Sequence, residues 1–206
     1  MAESVKVLVI YYSMFGNVAE MAREVGEGVK SVGGAELVLK QVPDLLPENV
    51  IAGNAAIKAV KEKYKGIPIA ENKDLDTADA VIVGSPTRFG NMCSQMRNFW
   101  DQSGRQWGAG TLIGKPAGVF TSTASLHGGQ ETTLVSMMLT LLHHGMLIVG
   151  VPYSVPELIS TTSGGTPYGP SHTAGPEADI PLTADEKKIC FELGKRVAEI
   201  TVRLRG

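Results

Sequence analysis

The apolar residues of this chain follow two different spacings, and the change from one to the other marks its elements. Val5 to Ile10 is a mostly β-branched apolar run, too short for a helix, while from Val18 the apolar positions recur at the period of one helix face. This succession predicts a buried parallel strand, a tight loop and a helix. Comparable apolar patterns predict four further strands, at residues 35–42, 78–84, 115–121 and 146–151.

The segments between these strands predict helices and two insertions. Helices are expected at about residues 91–102 and 130–144, and Thr183 with Glu186 forms the capping pair of a last helix. Residues 47–76 form a polar, weakly helical insertion, and residues 152–182 form a second one, rich in Gly, Pro, Ser and Thr. We expect the second insertion to lie against a partner surface instead of closing a core.

Strands that alternate with helices predict an α/β fold. Right-handed crossovers place helices on both faces of the sheet, so we expect a doubly wound, five-stranded parallel sheet. The expected strand order is 2-1-3-4-5, with the ligand crevice at the switch point between strands one and three. One domain over residues 1–206 accounts for the whole pattern.

Composition and charge exclude several classes of protein. A chain of 206 residues with 43% hydrophobic content can bury a sizeable core, and a net charge of −2 without a basic stripe argues against nucleic-acid binding. The apolar runs are shorter than a membrane span and the first residues lack a signal-peptide pattern, so we expect a cytoplasmic protein without membrane insertion. Cys93 and Cys190 lie far apart, which argues against a disulfide framework or a metal site.

The loops after strands one, three and four are the richest in Ser, Thr and Gly. They cover residues 13–18, 85–91 and 122–129, and the expected strand order brings them together. The first loop ends at a helix N-terminus, where free N–H groups and the helix dipole favour an anion. Ser13 and Asn17 add neutral donors and Gly16 permits close backbone approach, so this loop predicts a site for a phosphate monoester. Taken alone, it also fits an ordinary turn between strand and helix.

Other residues predict that this phosphate belongs to a ligand with a flat aromatic ring system. Neither G-x-G-x-x-G nor G-x-x-x-x-G-K-[ST] occurs, which argues against a dinucleotide fold and a nucleotide triphosphatase. Thr87 and Arg88 offer donors beside the crevice, and Phe89 and Trp107 are available for stacking, which suits an isoalloxazine ring. For Trp107 a packing role is an equally good interpretation. For His143, the residues alone favour an interaction with the end of the helix dipole.

Six motifs, taken in order along the chain, carry a family resemblance. They are YYSMFGN, SPTRFGNM, DQSGRQWGAGTLIGK, STASLHGGQE, LLHHGM and GGTPYG. At these motifs the chain resembles the flavodoxin-like type IV NAD(P)H:quinone oxidoreductases, the family also called WrbA. The resemblance implies a flavodoxin-like fold, an FMN cofactor, NADH or NADPH and a quinone as substrates, and a homotetramer whose flavin pockets are completed by neighbouring subunits.

The resemblance also implies which residues bind the cofactor and the substrates. The residues assigned to FMN come from the three loops and the end of a helix: Ser13, Met14, Phe15, Gly16, Asn17, Val18, Pro86, Thr87, Arg88, Phe89, Gly90, Ser122, Thr123, Ala124, Ser125, Leu126, His127, Gly128 and His143. The residues assigned to the substrates are Phe15 and Trp107. Phe15 stands where many members carry tyrosine, and Val18 stands where flavodoxins often carry threonine.

The implied activity places the chemistry on the flavin. FMN accepts a hydride from NAD(P)H and passes two electrons to a quinone, so no side chain need act as a nucleophile. Because the sequence holds no separate dinucleotide fold, we expect both substrates to use one flavin face in turn, with ping-pong kinetics. Two other classes stay open, a one-electron carrier of flavodoxin type and a regulatory binding module. Such carriers are usually strongly acidic and compact, whereas this chain is near neutral and carries two insertions.

Overall fold

The structure is a computed structural model that describes residues 3–205. Its strands are β1 (Val5–Tyr11), β2 (Ala35–Gln41), β3 (Ala80–Arg88), β4 (Asn91–Met92), β5 (Pro116–Thr123), β6 (Leu147–Ile148) and β7 (Ser171–Thr173). Its helices are α1 (Asn17–Lys30), α2 (Glu48–Gly53), α3 (Ala55–Lys63), α4 (Asp74–Thr77), α5 (Ser94–Asp101), α6 (Gly104–Gly108), α7 (Gln130–His143), α8 (Glu157–Ser160) and α9 (Ala184–Arg205). Within this range, no helix combines the length and the apolar character that crossing a bilayer requires.

The main sheet is parallel and has the predicted strand order. Its strands lie in the order β2-β1-β3-β5-β6, and Val9 of β1 is paired with Leu39 on one side and with Ile82 on the other. The central strands are covered on both faces, which is why they consist of nearly continuous apolar residues. The doubly wound α/β prediction is therefore confirmed, and the switch point lies between β1 and β3.

Two apolar clusters cover the two faces of the sheet. On one face α1 and α9 pack so closely that a Cβ on Gly194 would lie 1.9 Å from the carbonyl oxygen of Val25. The other face is covered by α5 and α7, and it buries Met96 and Trp100. At the start of α9, the Glu186 N–H donates to the Thr183 Oγ1 at 3.1 Å and the Thr183 N–H donates to the Glu186 Oε2 at 2.8 Å. The predicted capping pair is confirmed.

The second insertion differs from its prediction. β6 is paired with the start of β5, while β7, which lies inside the insertion, is paired with the end of β5 at residues 121–123. The expectation that this segment would lie on a partner surface instead of closing a core is wrong for Ser171 and His172, because neither side chain is exposed. A three-residue polar strand has no apolar pattern that could predict it. Its polar side chains can be buried because they form hydrogen bonds within the chain.

Two shorter predictions also need correction. β3 extends beyond residue 84 to Arg88 and turns back into the antiparallel strand β4, so the helix expected from residue 91 begins only at Ser94. Trp107, expected in a loop, lies in the five-residue helix α6. Both β4 and α6 are too short to be detected from the spacing of apolar residues. The strand β4 has fewer than four residues, and the helix α6 has fewer than two turns.

Candidate cofactor site

A cleft of about 190 Å³ opens at the carboxyl ends of β1 and β3. It is lined by residues of the three predicted loops and of a fourth segment inside the second insertion. The lining residues are Ser13, Met14, Phe15, Asn17, Val18, Pro86, Thr87, Arg88, Ser122, Thr123, Ala124, Ala174, Gly175, Pro176 and Ala178. We call this the cofactor cleft. Its position is the one that parallel α/β sheets use for ligands, outside the strand ends at the topological switch point.

The first loop is shaped as an anion site. Gly16 has φ 95°, a left-handed conformation that side chains with a Cβ rarely adopt, and its N–H donates to the Ser13 Oγ at 3.1 Å. Helix α1 begins directly afterwards at Asn17. Within residues 3–205, the backbone N–H groups of residues 14, 15 and 17–19 donate to no protein acceptor. Unpaired donors at a helix N-terminus form a binding site for a phosphate group.

The first insertion supports this loop from behind. Val60 and Tyr64 face Gly16, at 3.5 and 4.0 Å from the point where a Cβ would lie. The Tyr64 hydroxyl donates to the Glu20 Oε1 at 2.5 Å, and the Lys63 Nζ donates to the same oxygen at 2.6 Å. Because Glu20 is on α1, these bonds connect the C-terminal end of α3 to the helix that starts the anion site.

The second loop contributes the positive charge of the cleft. Among the cleft-lining residues that the structure describes, Arg88 is the one with a charged side chain, and its Nη1 donates to the Thr87 carbonyl oxygen at 2.8 Å. The Thr87 Oγ1 accepts from the Gly90 N–H at 3.2 Å and from the Thr133 Oγ1 at 2.7 Å. Phe89 has φ 53° and is fully exposed, so its ring does not line the cleft.

The third loop enters the cleft only with its first residues. Ser122, Thr123 and Ala124 line it, but the Thr123 Oγ1 is already used, because it donates to the Ser125 carbonyl oxygen at 2.8 Å. Residues 125–128 form a turn closed by the Gly128 N–H, which donates to the same Ser125 oxygen at 3.0 Å. Of the predicted contacts, Ser125, Leu126, His127 and Gly128 are therefore not brought to the cleft within this chain.

The fourth wall of the cleft was missed at the sequence level. It consists of Ala174, Gly175, Pro176 and Ala178, and Asn17 holds it in place because its Nδ2 donates to the Ala178 carbonyl oxygen at 2.9 Å. Gly175 and Ala178 both have positive φ, 78° and 57°. This segment belongs to the predicted second insertion, but nothing in its local pattern indicated which of its residues would face the first loop.

Four further predicted residues lie on a neighbouring surface. Phe89 and Gly90 border a shallow groove along α7, and His143 with Trp107 borders an adjoining depression. The Trp107 Nε1 donates to the His143 carbonyl oxygen at 2.9 Å, which joins α6 to the end of α7. The next residue, His144, packs on Trp100 and contacts the Ser103 Oγ at 3.0 Å. Burial is the main reason that the pKa of its imidazole is lowered, and the nearby His143 lowers it further.

Comparison with known proteins assigns the family. A sequence model described as NADPH-dependent FMN reductase matches residues 5–157. Proteins named NAD(P)H dehydrogenase (quinone) from Chromohalobacter salexigens and Trichlorobacter lovleyi are 49% and 48% identical over 98% and 97% of this chain, which is 99% and 98% of theirs. The chain belongs to the NAD(P)H dehydrogenase (quinone) family. The family resemblance drawn from the six motifs is confirmed.

A solved structure supports the same assignment. The crystal structure of the flavodoxin, WrbA-like protein from Agrobacterium tumefaciens has a TM-score of 0.66 and 26% identity, and the match covers 97% of this chain and 99% of that one. An archaeal flavodoxin matches with a TM-score of 0.61 at 18% identity, covering 96% and 99% of the two chains, which supports the fold. This member of the NAD(P)H dehydrogenase (quinone) family thus has a flavodoxin-like sheet with two insertions.

The cofactor cleft of this family member fits FMN. The unpaired N–H groups around Gly16 suit a terminal phosphate, and Arg88 adds one positive charge to the cleft. The residues at the other end of the cleft, Pro86, Thr87 and Ala124, have small or uncharged side chains that suit a neutral ring system. A pyrophosphate would call for a G-x-G-x-x-G loop after the first strand, and the sequence has none there.

Proposed function

We propose that this chain is an FMN-dependent NAD(P)H:quinone oxidoreductase that works as one FMN-binding domain over residues 1–206. The observation that carries the proposal is the set of unpaired backbone N–H groups around Gly16, at the N-terminus of α1 and at the switch point of the sheet. The names of the relatives and the description of the matching family model support the same activity.

Bound FMN would supply the redox chemistry, taking two electrons as a hydride from NADH or NADPH and delivering them to a quinone. The role of the protein is to bind and to orient. Residues 13–18 would hold the phosphate, residues 86–88 the ring, and residues 122–124 the side of the ribityl chain. Arg88 would add positive charge to the cleft.

We also propose a homotetramer in which a neighbouring copy completes each site. Trp107, His143 and Phe89 carry contacts expected for FMN or substrate, yet in one chain they border the groove and depression on α7 outside the cofactor cleft. The same surface exposes 41% of Val135, 56% of Leu139 and 53% of Leu142. A contiguous apolar surface of this kind favours contact with another protein surface. A closed dihedral arrangement would bring the α7 surface of one copy to the cleft of another.

Two substrates on one flavin face would give ping-pong kinetics. NADH or NADPH would bind over the ring, leave as the oxidised nucleotide, and be replaced by the quinone. Phe15, which is 43% exposed at the mouth of the cleft, and Trp107 would border both substrates in turn. The composition of the chain supports a cytoplasmic location for this reaction.

The proposal is tested by flavin identity and by activity. Boiled protein should release a flavin that co-migrates with FMN, and NADH or NADPH oxidation should accelerate when benzoquinone is added. Initial rates at several benzoquinone concentrations should give parallel double-reciprocal lines. Release of FAD, or no flavin after reconstitution, would overturn the cofactor assignment. A flavoprotein that binds FMN but oxidises neither nucleotide would favour an electron carrier instead.

A further inference from the structure

A buried ion pair lies directly below the fourth wall of the cofactor cleft. His172 of β7 and Glu186 of α9 have no exposed surface, and the His172 Nδ1 lies 2.9 Å from the Glu186 Oε2. The other ring nitrogen, Nε2, lies 3.0 Å from the carbonyl oxygen of Ile180. Neither contact belongs to the groups assigned to FMN or to the substrates.

Glu186 is an ionised carboxylate in this arrangement. Its Oε1 accepts from the Gly164 N–H at 2.9 Å and the Thr173 N–H at 3.2 Å, and its Oε2 accepts from the Thr183 N–H at 2.8 Å. Backbone N–H groups can only donate, so the position left for a proton on this carboxyl is the Oε2 contact with the His172 Nδ1. Burial alone would raise the pKa of this carboxyl, but the hydrogen bonds, first that of His172, lower it to about 2.

The two partners of His172 fix the charge of its ring. An ionised carboxylate and a backbone carbonyl can each only accept a hydrogen bond, and they face the two nitrogens separately. Both nitrogens must therefore donate, which requires the doubly protonated imidazolium. A neutral ring would turn a lone pair either toward the Glu186 carboxylate or toward the Ile180 carbonyl oxygen.

This ring closes the base of the loop that forms the fourth wall. The His172 contact to Ile180 and the bond from the Ile180 N–H to the Ala174 carbonyl oxygen, 3.0 Å, join the two ends of residues 173–180. The cleft-lining residues of the fourth wall lie between these ends. The Asn17 side chain, at the anion site, bonds to the Ala178 carbonyl oxygen of the same loop. His172 is thus two positions before the wall, and the loop that it closes is connected to the phosphate loop through Asn17.

No second charge from the neighbouring elements competes with this pair among the described residues. From α9, one turn beyond Glu186, comes the Cys190 thiol, whose pKa burial raises, so that it stays neutral. The elements β5 and α7 contribute the uncharged side chains of Thr123 and Gln130. The acidic residues of the loop itself are exposed, and they are Glu177 and Asp179. Asp185 of α9 accepts from the Ser160 Oγ instead.

We propose that His172 is a positioning residue for the FMN cleft. As an imidazolium it ties residues 173–180 to α9, which holds the fourth wall against the phosphate loop and makes FMN affinity depend on the charge of a side chain that never touches FMN. The inference rests on the proposed function, because it assumes that the cleft binds FMN. It adds a residue and a charge state that the motifs of the family do not include.

The first experiment reads the charge of His172 directly. In protein labelled with 15N at histidine and freed of flavin, both ring nitrogens of His172 should show the chemical shift of protonated imidazolium at pH 7, with the assignment made by comparison with the His172→Gln variant. A neutral ring with one protonated nitrogen at pH 7 would overturn the proposal. This measurement needs no flavin and therefore does not depend on the proposed function.

The second experiment measures the consequence for the cofactor. The dissociation constant of FMN, from quenching of its fluorescence, should rise about tenfold in His172→Gln, the size expected for loss of one charge-assisted hydrogen bond. The matched control is Ser163→Ala, which removes a neutral donor at 3.1 Å from the same carboxylate but lies outside the loop. It should bind FMN as the wild type does. An equal loss of FMN affinity in both variants would mean that the bonds to Glu186 act only through the overall stability of the fold. That result would contradict the proposal.

Titration of the wild type keeps the proposal testable if His172→Gln fails to fold. Raising the pH until the 15N signals show loss of a ring proton should weaken FMN binding over the same pH interval. FMN affinity that does not change across that interval would overturn the proposal. A wild type that binds no FMN at any pH would instead overturn the proposed function, and the positioning role with it.

Discussion

The cofactor cleft and the exposed surface of α7 differ in how far one chain completes them. The cleft is closed by bonds between distant elements of one chain, such as that from Asn17 to Ala178, 2.9 Å, across 161 positions. The α7 surface exposes Val135, Leu139 and Leu142, which at spacings of four and three residues form a stripe on one helix face. The phosphate site is thus built within one chain, whereas the proposed homotetramer would complete the substrate side with a second copy.

The largest effect should come from acid, because the fourth wall of the cleft depends on one carboxylate. Glu186 has a pKa of about 2 in the folded chain against an ordinary value of 4.5, so its stabilising contribution is complete above pH 4.5 and is lost as pH falls toward 2. The loss should reach about 3 kcal/mol in the free energy of unfolding, from 1.4 kcal/mol per pKa unit. Urea unfolding at pH 7, 4, 3 and 2 measures it, and about 2 kcal/mol of the loss should be present at pH 3.

The variant Glu186→Gln provides the control for this acid effect. It should already be destabilised at pH 7, since a neutral amide cannot replace the charge beside His172, and its stability should change less between pH 7 and pH 3. An acid dependence as steep as that of the wild type would assign the effect to other carboxylates.

A change at the phosphate loop should break the cleft and spare the α7 surface. In Gly16→Val a β-branched residue would have to adopt φ 95°, and the loop would shift its N–H groups. We expect FMN affinity to fall about hundredfold, from a strain of 1–3 kcal/mol. The control Gly33→Val adds the same side chain where no atom lies within 4 Å of the new Cβ. Fluorescence titration should show unchanged FMN binding in the control.

The part of the cleft that could be predicted from the sequence is the part formed by loops that follow apolar strands. β1, β3 and β5 are buried on both faces, so their ends, and the loops that start there, could be found from the apolar runs alone. β7 could not be found this way. Its residues Ser171 and His172 are buried because of partners such as Gln130 and Glu186, 41 and 14 positions away, and such pairings leave no local pattern.

A different physical reason explains why some predicted contacts lie outside the cleft. Phe89 and Trp107 are large aromatic residues at exposed positions, 102% and 62%, where packing within the chain does not explain them. The family resemblance placed them at the flavin, whereas one chain places them along α7. A sequence records that a residue is used, but it does not record whether its own chain or a neighbouring copy brings it to the ligand.

A charge on the apolar stripe should separate the copies and leave the cleft intact. In Leu139→Asp the interface would bury an unpaired carboxylate, so at low protein concentration we expect a smaller mass by light scattering and about tenfold slower quinone reduction. FMN is supplied in excess throughout. The control Leu204→Asp changes a leucine of similar exposure, 59%, at the end of α9. A monomeric Leu139→Asp protein with full specific activity would refute the composite site.

The smallest effect should come from a single hydrogen bond on the α7 surface. Trp107→Phe keeps an aromatic ring but removes the Nε1 donor to the His143 carbonyl oxygen, 2.9 Å away. Loss of a neutral, partly exposed hydrogen bond costs about 1 kcal/mol, which corresponds to a rise of roughly fivefold in the KM for benzoquinone. The dissociation constant of FMN should not change. An equal change in FMN affinity would place Trp107 within the cleft of its own chain.

Subunit mixing tests most directly whether each site draws on two copies. Gly16→Val damages the cleft and Trp107→Ala damages the α7 surface, so each homo-oligomer should reduce benzoquinone slowly. When the two variants are unfolded together and refolded with FMN, hybrid oligomers should contain sites that join an intact cleft from one chain to an intact Trp107 from the other. The account predicts activity well above the sum of the two variants refolded separately. Activity equal to that sum would contradict it, because a site made within one chain cannot be restored by mixing.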